Sequence, residues 1–147
     1  MGMACGVVDG VEQVEAYHEL SAYTLTHGDS TFIHQHVVDA WAAQHAHAGS
    51  KPIGVFFALV GLYLHVERSW TGREVQQAHM ALARIPEVWP VGTLPENRGT
   101  LTVLDVLAKP AGPARDAEIS RWAASVWAAF PESRISVEAL LRRRGLI

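Results

Sequence analysis

The sequence predicts an all-α fold: one helical domain over residues 1–147, a bundle of about four main helices plus two shorter ones, with a long Pro-rich loop at 86–99. Three observations predict it. Twenty-one of the 147 residues are alanine, the best helix former. Apolar residues recur at three- and four-residue spacing along most of the chain. No segment alternates apolar and polar residues at period two, as a half-buried strand would.

Residues 1–11 are read as a loose lead-in, Gly-rich and without period. The first helix is expected from about Glu12 to Thr26, with Val14, Tyr17, His18, Ser21 and Leu25 on its inner face. Gly28 suits a left-handed cap, and Asp29 or Ser30 can cap the next helix. The second helix is expected from about Thr31 to His47, with Ile33, Val37, Ala40, Trp41 and Gln44 inward. Pro52 then sits in a first turn. A third helix, about Ile53 to Ser69, is apolar nearly all round, as a central member would be. Its strip of small residues, Gly54, Ala58 and Gly61, leads to His65 and lets a neighbour approach closely.

Thr71-Gly72 opens a fourth helix, about Arg73 to Arg84, with Val75, His79, Leu82 and Ala83 near one face. Prolines 86, 90 and 95 with Gly92 and Gly99 forbid a regular element, so Trp89 rides on an ordered loop, and a loop this long is often functional. A short helix runs from Thr100 to Leu107, and Lys109–Pro113 is another break. Ile119, Trp122, Val126, Trp127 and Phe130 give a strong apolar stripe over 114–130, ended by Pro131. Ser133 or Ser136 caps a last helix, about Val137 to Arg144, with Leu140 and Leu141 inward and Gly145 at its end.

Hydrophobic residues make up 49% and charged residues 18%, a folded rather than disordered composition. The net charge of −3 and pI of about 6.2 carry no nucleic-acid footprint. The only cysteine, Cys5, excludes an intramolecular disulfide framework and a Cys-rich zinc module. Residues 1–5 lack the basic and apolar regions of a signal peptide, so a reducing cytoplasm is expected. Ile53–Val66 is shorter than the roughly 20 residues of a membrane span. Arginine outnumbers lysine ten to two alongside abundant Ala and Gly, the usage of a GC-rich bacterial genome.

The eight histidines need an explanation. Six of them, His18, His27, His34, His36, His45 and His47, lie on the first two helices. His36 and Asp39 are i,i+3 neighbours that can converge on one ligand or bond each other. His18 is expected in the middle of the first inner face. Glu67 is expected to face inward with Phe56, Val60 and Tyr63, where a carboxylate needs a partner. His18, His36, Asp39, His45 and Glu67 together form the candidate site. Imidazoles and carboxylates from several helices suit a divalent metal such as zinc. No H-E-x-x-H, Cys-based or Glu-x-x-His pattern accompanies them. His34 and His36 lie about 200° apart on a helix and do not chelate together.

Four stretches resemble the DUF5946 family, bacterial proteins of unknown function. Val38-Asp39-Ala40-Trp41-Ala42-Ala43-Gln44-His45 is similar to its V-D-A-Y-x-x-Q-H signature. Leu62 to Arg68 is similar to its L-x-L-x-x-E-R helix, and Gly99 to Val106 to its G-x-L-T-V-x-D-V loop. Trp122 to Phe130 is similar to its W-A-x-x-V-W-x-A-W helix. The resemblance implies a polar set of His36, Asp39, Gln44, His45 and Glu67, and no established activity. Relatives often have a Cys-rich start, of which Cys5-Gly6 remains here. They often place a histidine where this chain has Val55-Phe56-Phe57, and a His pair where it has Pro131-Glu132-Ser133-Arg134. If those histidines serve a metal in relatives, part of that site is missing here, with His18 and His34 as replacements.

Three functions fit this sequence. The first is a non-catalytic module that dimerises or binds a partner, its inner polar residues fixing helix register. The second is a metal-dependent enzyme or metal-binding protein, with His36, Asp39 and His45 as ligands or acid/base groups and Glu67 orienting them. The third is a small-ligand pocket closed by the 86–99 loop.

Overall fold

The computed structural model describes residues 2–87, 89 and 92–147, with residues 2–9 given by their backbone alone. The side chain of Cys5, and the part it was expected to play in a Cys-rich start, lie outside the described residues. Among these residues there are seven helices and no strand. They are α1 (Gly2–Thr26), α2 (His34–Gln44), α3 (Pro52–Arg68), α4 (Gly72–Ala83), α5 (Val103–Leu107), α6 (Pro113–Ala128) and α7 (Ser133–Arg143). These are the seven segments placed as helices from the sequence, one more than the count of about four main and two shorter ones.

The boundaries follow local chemistry. Pro52 and Pro113 sit in the first turns of α3 and α6, where a missing N–H costs nothing. Thr71 and Thr102 close capping boxes with Glu74 and Asp105. Gly28 and Gly145 take positive φ, at +67° and +75°, after α1 and α7. Several edges differ from expectation: α2 runs from His34 to Gln44 rather than about Thr31 to His47, α5 starts at Val103 rather than Thr100, and α7 at Ser133 rather than about Val137. The backbone of α1 starts at Gly2 rather than Glu12, since glycine weakens a helix without breaking it and no proline intervenes. The cap expected of Ser133 or Ser136 is absent: α7 starts at Ser133 with no side-chain cap bond.

As expected, α3 is central: Val55, Phe56, Ala58 and the whole run from Leu59 to Leu64 are buried. It packs against α2, α4, α6 and α7, while α1 and α5 pair on the far side of α2. The stripe on α6 is buried as a unit, with Ile119, Trp122, Val126, Trp127 and Phe130 all in the core.

The inner face of α1 is a correction. Ala16, Leu20 and Thr24 point inward, while Val14 and Leu25 are exposed and His18 lies on the surface. Thr24 satisfies its hydroxyl on the Leu20 carbonyl at 3.1 Å, and Tyr17 beside this face stacks on Trp41 of α2. The larger apolar side chains misled the periodicity. On α2 the inner face likewise rotates toward His36, Val37, Asp39, Ala40 and Ala43, leaving Trp41 half-buried.

Two glycines test this packing in opposite directions. At Gly72 an added Cβ would lie 1.8 Å from the Phe32 carbonyl oxygen, beside the Arg73 N–H that donates to Thr31 O at 2.8 Å. At Gly54, inside α3, it would meet nothing within 4 Å. Gly72→Ala should cost about 1–3 kcal/mol, as overpacking does. Gly54→Ala should add about 0.5–1 kcal/mol through helix propensity. Urea denaturation of both variants checks the pair, and two shifts of the same sign would contradict the packing described.

Candidate functional site

One turn of α2 places His36 and Asp39 against α3, and both are buried, 5% and 3% exposed. The His36 ring stacks on His65 of α3, with centroids 3.5 Å apart and planes 16° from parallel. His65 Nδ1 lies 3.2 Å from the Trp70 carbonyl oxygen, which can only accept, so Nδ1 carries the proton. Its Nε2 then accepts from the Ser120 hydroxyl on α6 at 3.2 Å. The network assigns this tautomer. His36 Nδ1 has no partner. Burial, and then the neighbouring His65, hold the His36 pKa down at about 3. Burial also lowers His65, partly opposed by its bond to the Trp70 carbonyl.

Asp39 lies beside this stack. Its Oδ1 accepts from Gln35 Nε2 at 3.1 Å. The same Gln35 amide is 3.5 Å from Nδ1 of His79 on α4. His79 Nε2 donates to the Phe57 carbonyl at 2.7 Å, and the His79 ring stacks on Phe57. The other carboxyl oxygen of Asp39, Oδ2, has no partner and sits where a side chain on residue 61 would be. A Cβ on Gly61 would lie 1.9 Å from it. Burial pushes the Asp39 pKa well above the usual carboxylate range, with the Gln35 bond working against that shift. The result is a polar layer of neutral imidazoles and a carboxyl that burial drives toward its neutral form.

The rest of the expected site lies elsewhere. His18 is on the surface of α1, with Tyr17 as its aromatic neighbour. His45 belongs to a ladder of rings, stacked 3.7 Å from Trp41, which stacks 4.4 Å from Tyr17. Its pKa is lowered by burial and by Arg98. Glu67 does not face the histidines. It stands at the exposed end of α3, where Trp127 Nε1 donates to its Oε2 at 2.6 Å and Arg134 Nε to its Oε1 at 2.7 Å. Its inward placement overlooked that Trp127 and Arg134 meet it at the bundle's edge. His34 is engaged by Thr24, Nδ1 to Oγ1 at 2.8 Å.

Among the described residues no three of His, Cys, Asp and Glu are grouped so as to hold a metal ion. Of the five expected residues, His36 and Asp39 share a locality. Gln35, His65, His79 and Ser120 join them, and sequence reasoning gave these four no role. The signals were the strip of small residues ending at His65, the place of His79 between Val75 and Leu82, and Gln35 one turn before Asp39.

Gln44 is satisfied at three points. Its Nε2 donates to the carbonyls of Leu101 at 2.7 Å and Arg98 at 3.2 Å, and its Oε1 accepts from Trp122 Nε1 at 2.9 Å. Arg98 in turn donates to the carbonyls of Pro95, Gln44 and Ala46. This fixes the end of the 86–99 loop on α2 and α6. Trp89 of that loop is half-buried against Phe56 and Phe57. Clefts of about 240 and 380 Å³ flank Gly92–Pro95, open toward the start of α7.

The class defined by this geometry is an all-α bundle with a buried His–carboxyl layer. The chain belongs to DUF5946, a family of unknown function, which matches residues 3–131. No curated protein and no solved structure matches it. No helix among the described residues is long and apolar enough to cross a membrane.

The buried layer makes stability depend on pH in two opposed ways. His36 titrates at 6.5 when unfolded and at about 3 when folded. Below pH 6.5 the unfolded state therefore binds the extra proton, and stability falls as pH drops toward 3 by up to about 1.4 kcal/mol per pH unit. Asp39 is raised, so the folded state takes up a proton first and stability rises as pH falls through its folded pKa. Asp39→Asn should remove that compensation and steepen the loss of stability between pH 6.5 and 4, while His36→Phe should shift the slope the opposite way, toward stability gained as pH falls. Urea unfolding against pH reads both slopes, and identical slopes in all three proteins would refute the assignment.

Proposed function

We propose that the protein is a non-catalytic helical module that works by association, with a second copy or with another chain. The observation that carries this reading is the outward face of α1. Val11, Val14 and Leu25 are 57%, 44% and 59% exposed, and they fall on one line with His18 at three-, four- and seven-residue steps. Single exposed apolar residues are ordinary on a protein surface. A line of them along one helix at near-heptad spacing is the pattern of a helix–helix seam. The core of α1 is already served by Ala16, Leu20 and Thr24. The role of the polar interior in fixing helix register also supports this reading, since Gln44, Glu67, His65 and His79 are each bonded to a neighbouring element.

Sedimentation velocity over a wide concentration range, with binding of an apolar fluorescent dye to the folded protein, tests it. Self-association, or dye binding by a monomer, is expected, and either should be largely lost in Val14→Glu/Leu25→Glu with little change in unfolding free energy, because both sites are exposed. A monomer that binds no dye, or a signal indifferent to the two substitutions, overturns the reading.

A second reading, a metal-dependent protein centred on His36 and Asp39, is favoured by one observation: His36 Nδ1 and Asp39 Oδ2 are buried without partners. Zinc is the natural candidate for imidazole and carboxylate donors. Metal analysis of untagged protein should then find stoichiometric metal, and zinc should raise the melting temperature of the wild type but not of His36→Phe.

A further inference from the structure

A shallow groove of about 430 Å³ runs between α1 and α5. One edge carries Glu12, Glu15 and Glu19 of α1 with Ala16 between them, and the opposite side is Leu104 and Leu107 of α5 with Ala108 just past its end. Spacings of three and four residues align the three carboxylates along about two helical turns. All three glutamates are exposed, and Leu104 is among the exposed large hydrophobic residues, as is Val11 one turn before Glu15.

The charge on this edge meets no opposite charge among the described residues. The first fifty residues hold Asp9, Glu12, Glu15, Glu19, Asp29 and Asp39 but no lysine or arginine. Among the described residues none of Glu12, Glu15 and Glu19 is in an ion pair, whereas Glu67, Glu87 and Glu138 each meet an arginine. Three like charges at these spacings repel one another. An anionic edge over an apolar floor is complementary to a helix with leucines on one face and lysines or arginines beside them.

We propose that the α1–α5 groove docks a basic amphipathic helix of another protein. This rests on the association reading above and names its partner. A second copy fits poorly, because it would bring acidic α1 against acidic α1. Its own basic end is already engaged: Arg143 and Arg144 pair with Glu87, and Arg142 lies 3.9 Å from Glu138.

Fluorescence anisotropy with a labelled synthetic helix of leucine and lysine faces tests the proposal on the full chain. Two further probes share its length: a scrambled sequence, and a version with glutamate in place of lysine. Saturable binding of the first probe is expected, weakened about tenfold or more by Glu15→Gln/Glu19→Gln, with salt weakening it too. Glu96→Gln/Glu132→Gln changes the net charge equally and should leave affinity within about twofold, since those residues lie outside the groove. Leu104→Glu should weaken binding while circular dichroism shows an unchanged fold. No binding, equal loss in both glutamine pairs, or equal affinity for the scrambled or acidic probe overturns the proposal. If the basic helix fails yet the Val14/Leu25 surface self-associates, the groove proposal falls alone. If neither occurs, both fall.

Discussion

The close approach of α2 to α3 sets the terms for the rest of the structure. It is possible because residue 61 has no side chain, which leaves room for the Asp39 carboxyl against the α3 backbone. Once α2 lies there, His36 falls onto His65 and the two rings stack. Gln35 carries the contact on to His79 in α4, and His65 carries it to Ser120 in α6. Four helices are thus joined through one polar layer. Burying ionised groups at such a depth would cost several kcal/mol each, so the layer has to stay uncharged. Burial moves each of these groups in that direction: the imidazoles downward and the carboxyl upward.

A second set of ties works at the edges of the bundle, where partial exposure permits charge. Glu67 gathers Trp127 of α6 and Arg134 of α7, and Arg68 beside it donates to the Tyr63 hydroxyl. Gln44 joins α2 to Trp122 and to the stretch of loop that enters α5. Gly99, at φ +114°, lets that loop lie against the backbone of Ser125. These are the residues on which the likeness to DUF5946 rests: Asp39, Gln44, Glu67, Arg68, Gly99, Trp122 and Trp127. Most of them are joints between helices. A polar pattern that resembles a ligand set can therefore arise from the geometry of assembly alone.

The helices themselves were legible because their punctuation is strong: Pro52, Thr71, Thr102, Pro113 and Pro131 mark ends by chemistry that acts within a few residues. The central place of α3 followed from its composition, and the buried stripe of α6 from its tryptophans. The rotation of α1 was not legible. A helix can bury alanine and threonine and leave valine and leucine outside when its neighbour approaches closely, and hydrophobicity ranks those residues the other way. The same limit explains the candidate site. Adjacent positions on one helix, such as His36 and Asp39, are fixed by the helical repeat. Which residue of another helix meets them depends on rotation and tilt, so His65 and His79 were passed over, and Glu67 was assigned to a meeting it does not attend.

The rotation of α1 also links the interior to the surface. The inward line of α1 is Ala16, Leu20 and Thr24, so Val11, Val14, Leu25 and three glutamates are turned outward on the same helix. The charge is then unevenly divided: residues 1–50 carry six acidic groups and no Lys or Arg, and the arginine-rich end, around α7, spends its charge on Glu67, Glu87 and Glu138. A bundle built only for its own stability would gain by placing one of those arginines near Glu12, Glu15 or Glu19. Its absence there costs some stability and leaves a surface whose apolar and anionic parts are both unmet. The polar groups inside the bundle are engaged mostly with one another, whereas α1 turns Val11, Val14, Leu25 and three glutamates outward together. The association proposed for that helix would account for both.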